Sequence, residues 1–248
     1  MIAGARRLRL RSWVRFARRA LLAACLWHGG AVAAGEIVSA AYAGPTERYA
    51  HAVLGDGIEH SEVVLSFADG AERSFMLPED LVFEDTVPRV ADLDADGYPE
   101  VIVVESSQSA GARLAVYGPE GRITATSFIG TRFRWLAPVG AADLDGDGVI
   151  EIAYVDRPHL AKTLRVWRYQ DGGLQPVADL PGLTNHRIGE RDIAGGIRTC
   201  AGAPEMVLAS ANWAELLAVR FDGHEFSTTR LGRDTSRAAF ARALDCKL

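Results

Sequence analysis

The sequence predicts an all-β fold made of four repeated units and followed by a short C-terminal helix. Glycines that suit tight turns recur every 51 residues, as Gly70, Gly121, Gly172 and Gly223. Each lies between runs rich in valine, leucine, phenylalanine, tyrosine and threonine, which is the composition of a β-hairpin. Two acidic segments, 92–100 and 143–151, share one arrangement of carboxylates at the same interval. Such a period in a strand-rich chain is typical of a β-propeller.

The repeat extends over residues 35–233, and we divide it into units at about 35–85, 86–136, 137–186 and 187–233. Two further strands precede each hairpin, so a unit holds four strands, and a loop joins the first two. One small sheet cannot bury both of its faces, so we expect the units to pack radially as the blades of a compact propeller. The alternatives are a five-bladed ring with one irregular blade and an open half-ring that dimerises. The protein is accordingly expected to be a monomer, with a homodimer as the alternative.

The acidic loops of the second and third units have the pattern of a calcium site. Alternating aspartates around a glycine, followed by a glutamate, supply the several oxygen ligands that Ca²⁺ takes. The predicted ligands are Asp92, Asp94, Asp96, Tyr98 and Glu100 in one loop, and Asp143, Asp145, Asp147, Val149 and Glu151 in the other. Tyr98 and Val149 would contribute main-chain carbonyl oxygens. The alternative is a solvated acidic turn, since aspartate and glycine favour turns on their own. We expect two structural Ca²⁺ ions.

The outer units lack this pattern. In the first unit the counterpart is residues 41–49, where two alanines and Pro45 replace the aspartates, and 48–54 is expected to form the next strand. In the fourth unit the counterpart begins at Asp192 and reaches Glu205 after an inserted segment that carries Cys200. Neither loop is expected to bind calcium.

The segments PRVADLDADGYPEVIVV and VGAADLDGDGVIEIAYV resemble the FG-GAP or VCBS-type repeats of integrin-like β-propellers. The resemblance covers residues 87–180 best. It implies calcium bound in a hairpin between two blade strands, and an extracellular scaffolding or recognition role. It does not imply a reaction. The family's loop commonly ends in aspartate, so Glu100 and Glu151 depart from it.

The first 34 residues read as a secretory signal peptide, because seven arginines and no acid precede an apolar stretch. Cleavage is expected after Ala34, with Ala33 as the nearest alternative. Lipidation at Cys25 is the competing interpretation. The apolar stretch is too short to span a membrane. The protein is therefore expected to be exported, to the periplasm or outside the cell.

The mature chain is acidic. Without the seven leader arginines, 20 basic residues remain against 32 acidic ones, a net charge of −12. Nucleic acid is therefore not an expected partner.

Residues 234–248 are expected to form a helical tail. Its Cys246 and the inserted Cys200 are the two cysteines of the mature chain. An exported protein favours a disulfide between them, and two free buried thiols are the alternative.

No catalytic motif stands out in the sequence. The mature histidines are predicted to be surface or hairpin residues: His51, His60, His159, His186 and His224. Residues 156–159 are expected to form an exposed loop with an ion pair. Trp135 and Trp213 are placed in loops and are the predicted recognition residues for an unknown protein or carbohydrate. We expect a non-catalytic binding or scaffold module; the alternative is a secreted propeller enzyme acting on saccharides or a similar polymer.

Overall fold

The computed structural model describes Met1 and residues 35–248, so the predicted leader and Cys25 lie outside the described residues. The strands are β1 (Ile37–Thr46), β2 (Glu59–Phe67), β3 (Glu72–Met76), β4 (Leu81–Phe83), β5 (Arg89–Ala91), β6 (Glu100–Ser107), β7 (Gly111–Gly118), β8 (Gly121–Ala125), β9 (Leu136–Ala142), β10 (Glu151–Asp156), β11 (Thr163–Gln170), β12 (Gly173–Pro181), β13 (Leu183–Thr184), β14 (Gly196–Thr199), β15 (Pro204–Ser210), β16 (Leu216–Phe221) and β17 (Phe226–Gly232). They are followed by helix α1 (Arg237–Leu244). Within residues 35–248, every helix is too short or too polar to cross a bilayer.

The strands form three antiparallel sheets. One has eight strands, in the order β1-β2-β4-β6-β7-β8, with β3 paired to β2 and β5 paired to β6. The second is the meander β12-β11-β10-β9, and the third is β13-β15-β16-β17 with β14 paired to β15. The predicted all-β class and the C-terminal helix are confirmed. Four separate four-stranded blades are not seen, because β4 pairs with both β2 and β6 and so joins the first two units into one sheet.

The first unit differs from the prediction. Residues 41–46 belong to the continuous strand β1 and not to a loop, and residues 48–54 form no strand. β1 pairs directly with β2 and lies at the edge of its sheet. An edge strand tolerates Pro45 because the missing N–H leaves no central ladder incomplete.

The fourth unit also differs. The segment taken as an insertion contains β14, which pairs with β15 from Gly196↔Val207 to Thr199↔Pro204. The loop between the first two strands therefore comprises only residues 200–203. Asp192 precedes β14 and pairs with Arg237 at 2.7 Å, so it is not the counterpart of the first ligand position.

The tail helix docks on this unit. Ser236 caps its N-terminus by accepting a hydrogen bond from the backbone N–H of Ala239. Ala239, Phe240 and Ala243 are buried and belong to one apolar cluster with Val207, Ala209 and Leu216 of the third sheet. The structure contains the disulfide between Cys200 and Cys246.

Candidate functional site

The two acidic loops have nearly the same internal geometry. In each, the second residue is a buried leucine whose backbone N–H donates to the glutamate that begins the next strand: Leu93 to Glu100 Oε2 and Leu144 to Glu151 Oε2, both at 2.9 Å. The first aspartate accepts from the loop glycine at 3.0 Å, as Asp92 from Gly97 and Asp143 from Gly148. These contacts fold each loop so that its carboxylates lie on one side.

The first loop has an oxygen available for a cation. Carboxylate oxygens of Asp92, Asp94 and Asp96 lie within 4.8 Å of one another. Asp92 Oδ1 is buried and has no hydrogen-bond partner among the described residues. Burial, together with the three aspartates, raises the pKa of Glu100 to about 7. An unpartnered buried oxygen beside other carboxylates fits a hard divalent cation.

The second loop contains a competitor for a cation. Asp143, Asp145 and Glu151 bring carboxylate oxygens within 4.8 Å. Arg168 from β11 lies among them, however, with its Nη2 2.6 Å from Asp145, 3.1 Å from Asp147 and 2.7 Å from Glu151. A guanidinium already neutralises part of this cluster, so the two loops are not equivalent.

Tyr98 and Val149 occupy matching places in the two loops. The backbone N–H of Tyr98 donates to Asp96 Oδ1 at 2.7 Å, and that of Val149 to Asp147 Oδ1 at 2.8 Å. Ligation through their carbonyls stays a prediction, as does ligation by the carboxylates.

In the fourth unit, arginine side chains take the place of a metal ion. Glu205, the first buried acid of β15, receives hydrogen bonds from Arg198 Nε at 2.9 Å and Arg220 Nε at 2.7 Å. Despite its desolvation, these contacts lower the pKa of the carboxyl group. The glutamate is thus satisfied without metal.

A second constellation repeats at the end of each of the first three units. Glu84, Trp135 and His186 are 51 residues apart and all buried. The indole Nε1 of Trp135 donates to the carbonyl oxygen of Glu84 at 2.8 Å. The rings of Trp135 and His186 contact edge to face, with centroids 4.9 Å apart. The repeat therefore brings three buried side chains of successive units into one contiguous row.

Further polar groups surround this row. The carboxylate of Glu84 accepts from the hydroxyl of Ser106 and lies in hydrogen-bond contact with His51 Nδ1. Burial raises the pKa of Glu84, and the hydrogen bonds from His51 and Ser106 oppose that shift. His159 Nε2 lies 3.0 Å from His186 Nδ1. The prediction that His186 is a surface or hairpin residue is wrong, since the side chain is buried.

Residues 156–159 do not form an exposed loop. Asp156 ends β10 and is buried, with ion pairs to Arg157 at 2.7 Å and Arg165 at 2.9 Å. Of the two parts of this prediction, the ion pair is confirmed and the exposed loop is wrong. His159 is partly buried beside Trp135, whose ring centroid is 6.3 Å from its own.

A shallow depression lies above the row. It is lined by His51, Phe133, Trp135, Arg157, His159 and Leu160. Ala52, Phe133 and Arg157 at or beside it have positive φ angles of 55°, 64° and 45°. Such angles are strained for residues with side chains and cluster at functional sites.

The two predicted recognition tryptophans have different environments. Trp135 is 2% exposed, so it is not the exposed loop residue that the sequence predicted. Trp213 is partly exposed, and Arg187 stacks over its ring at 3.7 Å. Its other neighbour is Phe240 of α1, at 6.3 Å between centroids.

A larger cleft, of about 580 Å³, borders the second acidic loop. Asp143, Asp145, Arg220 and Asp222 are among its lining residues. Because Asp143 and Asp145 are also predicted calcium ligands, we treat the cleft as part of the second acidic loop and not as a separate site.

Acid is expected to destabilise the fold through the histidine pair. His186 Nε2 donates to the carbonyl oxygen of Glu190 at 2.9 Å, so its Nδ1 accepts from His159 and both rings are neutral. Burial, reinforced by His186, lowers the pKa of His159 to about 4. The unfolded chain binds that proton near pH 6.5, so the free energy of unfolding falls as the pH drops from about 6.5 to 4.

The measurement is urea unfolding at pH 7 and pH 5 for the native protein and for His159→Gln, which keeps a donor toward His186. Between pH 7 and pH 5, the free energy of unfolding of the native protein should fall by more than that of the variant. Equal losses would show that this pair does not titrate as described.

Comparisons with known proteins place the acidic loops in a family. Residues 92–154 match the family model of the FG-GAP-like repeat. The match spans both loops and confirms the resemblance seen in the sequence.

No curated protein matches the chain. Among solved structures the chain is similar to one in the complex of the fission yeast SREBP and SCAP binding domains, with 14% identity and a TM-score of 0.37. That alignment covers 71% of this chain and 47% of the other, so this chain spans about half of its length.

Proposed function

We propose that this FG-GAP-repeat protein is an exported, calcium-stabilised β-propeller that binds a partner and catalyses no reaction. The observation that carries the proposal is the first acidic loop, in which Asp92 Oδ1 is buried without a hydrogen-bond partner next to two more aspartates. A bound Ca²⁺ would satisfy that oxygen and reduce repulsion within the loop.

The contacts between units support the radial arrangement. β9 of the third unit lies against β7 of the second and β14 of the fourth. The backbone N–H of Gly189 in the fourth unit donates to the carbonyl oxygen of Val53 in the first at 2.9 Å. Partly buried Ile193 and buried Val53 belong to the same apolar cluster. The last unit thus meets the first, as ring closure requires.

Export is supported by two features. The arginine-rich segment followed by an apolar stretch has the pattern of a signal peptide. The Cys200–Cys246 disulfide is the kind of bond that persists in an oxidising compartment.

Calcium is expected to raise the melting temperature of the purified protein. At a free concentration 100-fold above the dissociation constant, one site adds about 2.7 kcal/mol, which corresponds to roughly 5–10 °C for a domain of this size. Asp94→Ala should remove most of this rise, because it deletes a carboxylate from the loop with the unpartnered oxygen. Asp145→Ala should remove less, since Arg168 already occupies part of its loop.

The melts are recorded in calcium and in chelator, with magnesium as a control for general ionic effects. Arg168→Gln provides the matched test of the second loop and should increase the calcium-dependent rise. A melting temperature unchanged by calcium would contradict the structural role.

A further inference from the structure

We infer that the depression above Trp135 is the partner-binding surface, and that it accepts a protein segment in which an acidic side chain lies beside an aliphatic or aromatic one. The inference rests on the proposed function, because it names the surface and the ligand class of that binding module. We call this surface the Phe133 face: His51, Arg132, Phe133, Arg157, His159 and Leu160.

The apolar part of the face is held outward. Phe133 is 40% exposed and Leu160 is 60% exposed, although both are large apolar residues. The backbone of Phe133 is fixed by a hydrogen bond from its N–H to the hydroxyl of Tyr49 at 2.8 Å. Its ring stacks on His51, with centroids 4.8 Å apart. A rigid exposed aromatic loses little conformational entropy when a partner packs on it.

The charged part of the face points to an acidic partner. The guanidinium of Arg132 lies 4.5 Å from the ring centroid of Phe133 and 5.6 Å from that of Tyr49. Stacking occupies the face of a guanidinium and leaves its in-plane N–H groups free for a carboxylate. Arg157 lies at the rim, 32% exposed in its side chain, but its Nε and Nη2 already donate to Asp156. Arg132, beside exposed apolar groups, therefore complements an acidic residue next to an apolar one.

The buried row beneath the face makes it rigid. Trp135 forms its floor and is tied to Glu84, which in turn holds His51 at the rim. Residues of the first, second and third units therefore converge on one surface. Because three units contribute residues to the face, its geometry is fixed by the packing of the units, which is the rigid support that a binding site needs.

The experiment is a selection from a random twelve-residue peptide display library on the purified, immobilised protein, followed by affinity measurement of synthetic peptides. Enriched peptides should carry an aspartate or glutamate within two positions of an aliphatic or aromatic residue. Replacing that acid with its amide should weaken binding about tenfold, and Arg132→Gln should weaken it by a similar factor. Leu160→Ser should weaken binding by about fivefold or more.

Two variants serve as matched controls. Met76→Ser removes an apolar residue that is 74% exposed on β3, and Arg233→Gln removes an exposed arginine between β17 and α1. Both should bind the selected peptides like the native protein. Anionic vesicles of phosphatidylglycerol and phosphatidylcholine, tested in parallel, should not compete with the peptides.

Each contrary result identifies which claim fails. Enriched peptides that lack an acid, or no enrichment, would overturn the inference. If the peptides bound the Arg132 and Leu160 variants as tightly as the native protein, the binding surface would lie elsewhere on the protein. That result would refute the inference but not the proposal that the protein is a binding module. Binding to vesicles that Arg132→Gln abolishes would make the face a lipid site and refute the inference. The calcium dependence of the melt, measured separately, decides the structural role of calcium whatever the peptides show.

Discussion

Replacing Trp135 with alanine is expected to lower the free energy of unfolding by about 3 to 5 kcal/mol. The side chain is 2% exposed and is among the largest fully buried side chains. It belongs to the apolar cluster that includes Ile102, Leu114 and Ile152 from the second and third units. Its removal would leave a cavity between units, and the carbonyl oxygen of Glu84 would lose its donor.

Urea unfolding followed by circular dichroism measures this loss. Trp135→Phe is the matched variant, because it keeps an aromatic ring but lacks the indole N–H, and it should cost roughly 1 to 2 kcal/mol. Trp213→Ala should cost less than Trp135→Ala, since Trp213 is partly exposed. If Trp135→Ala lost under 1 kcal/mol, the assigned role of this residue in joining the units would be refuted.

The sequence contained a signal for the burial of Trp135. Its flanking residues look like a loop, which favoured an exposed recognition residue. Yet Glu84, Trp135 and His186 follow the same 51-residue interval as the turn glycines, which implies equivalent places in three units. Residues at equivalent boundaries between packed units lie close to one another, and side chains there are buried.

Features encoded within a short segment could be predicted. The acidic loops, the hairpins around Gly121 and Gly172 and the C-terminal helix depend on neighbours a few residues apart. The entry of Arg168 into the second loop could not be predicted, because it depends on the register between β10 and β11, in which Arg168 lies opposite Glu151. The same holds for His159 and His186, which meet only once β13 lies against β11.

The errors in the outer units have a common cause. The 51-residue interval placed a loop at residues 41–49, but residues 41–46 belong to an edge strand, where glycine and proline are tolerated. In the fourth unit the short strand β14 lies between glycines and Cys200, so its composition resembles a loop insertion. Pairing with a neighbouring strand decided both cases, and propensity within the segment did not.

Replacing both Cys200 and Cys246 with serine is expected to destabilise the protein by about 4 kcal/mol. The bond closes a loop with a sequence separation of 46, and the chain-entropy estimate for a loop of that length gives this value. The variant should still fold, because Phe240 and its neighbours bury α1 against the third sheet. Unfolding in urea with and without reductant measures the effect in the native protein, and the serine variant controls for other actions of the reductant.

The loss should be independent of calcium. Arg198 connects the disulfide region to the tail, since its Nη1 donates to the carbonyl oxygen of Ala243 at 2.8 Å while its Nε donates to Glu205. This network braces the fourth unit through arginines and a covalent bond, whereas the loop with the unpartnered Asp92 oxygen lies in the second unit. The second loop is different, because Asp143 and Asp145 line one cleft with Arg220. Effects at separate sites without shared partners add. The part of the calcium-dependent stabilisation that comes from the first loop should therefore be the same, within about 0.5 kcal/mol, in the native protein and the double serine variant. A calcium effect that vanished with the disulfide would show that the fourth unit and the acidic loops stabilise each other, and that the bracing of the units is shared.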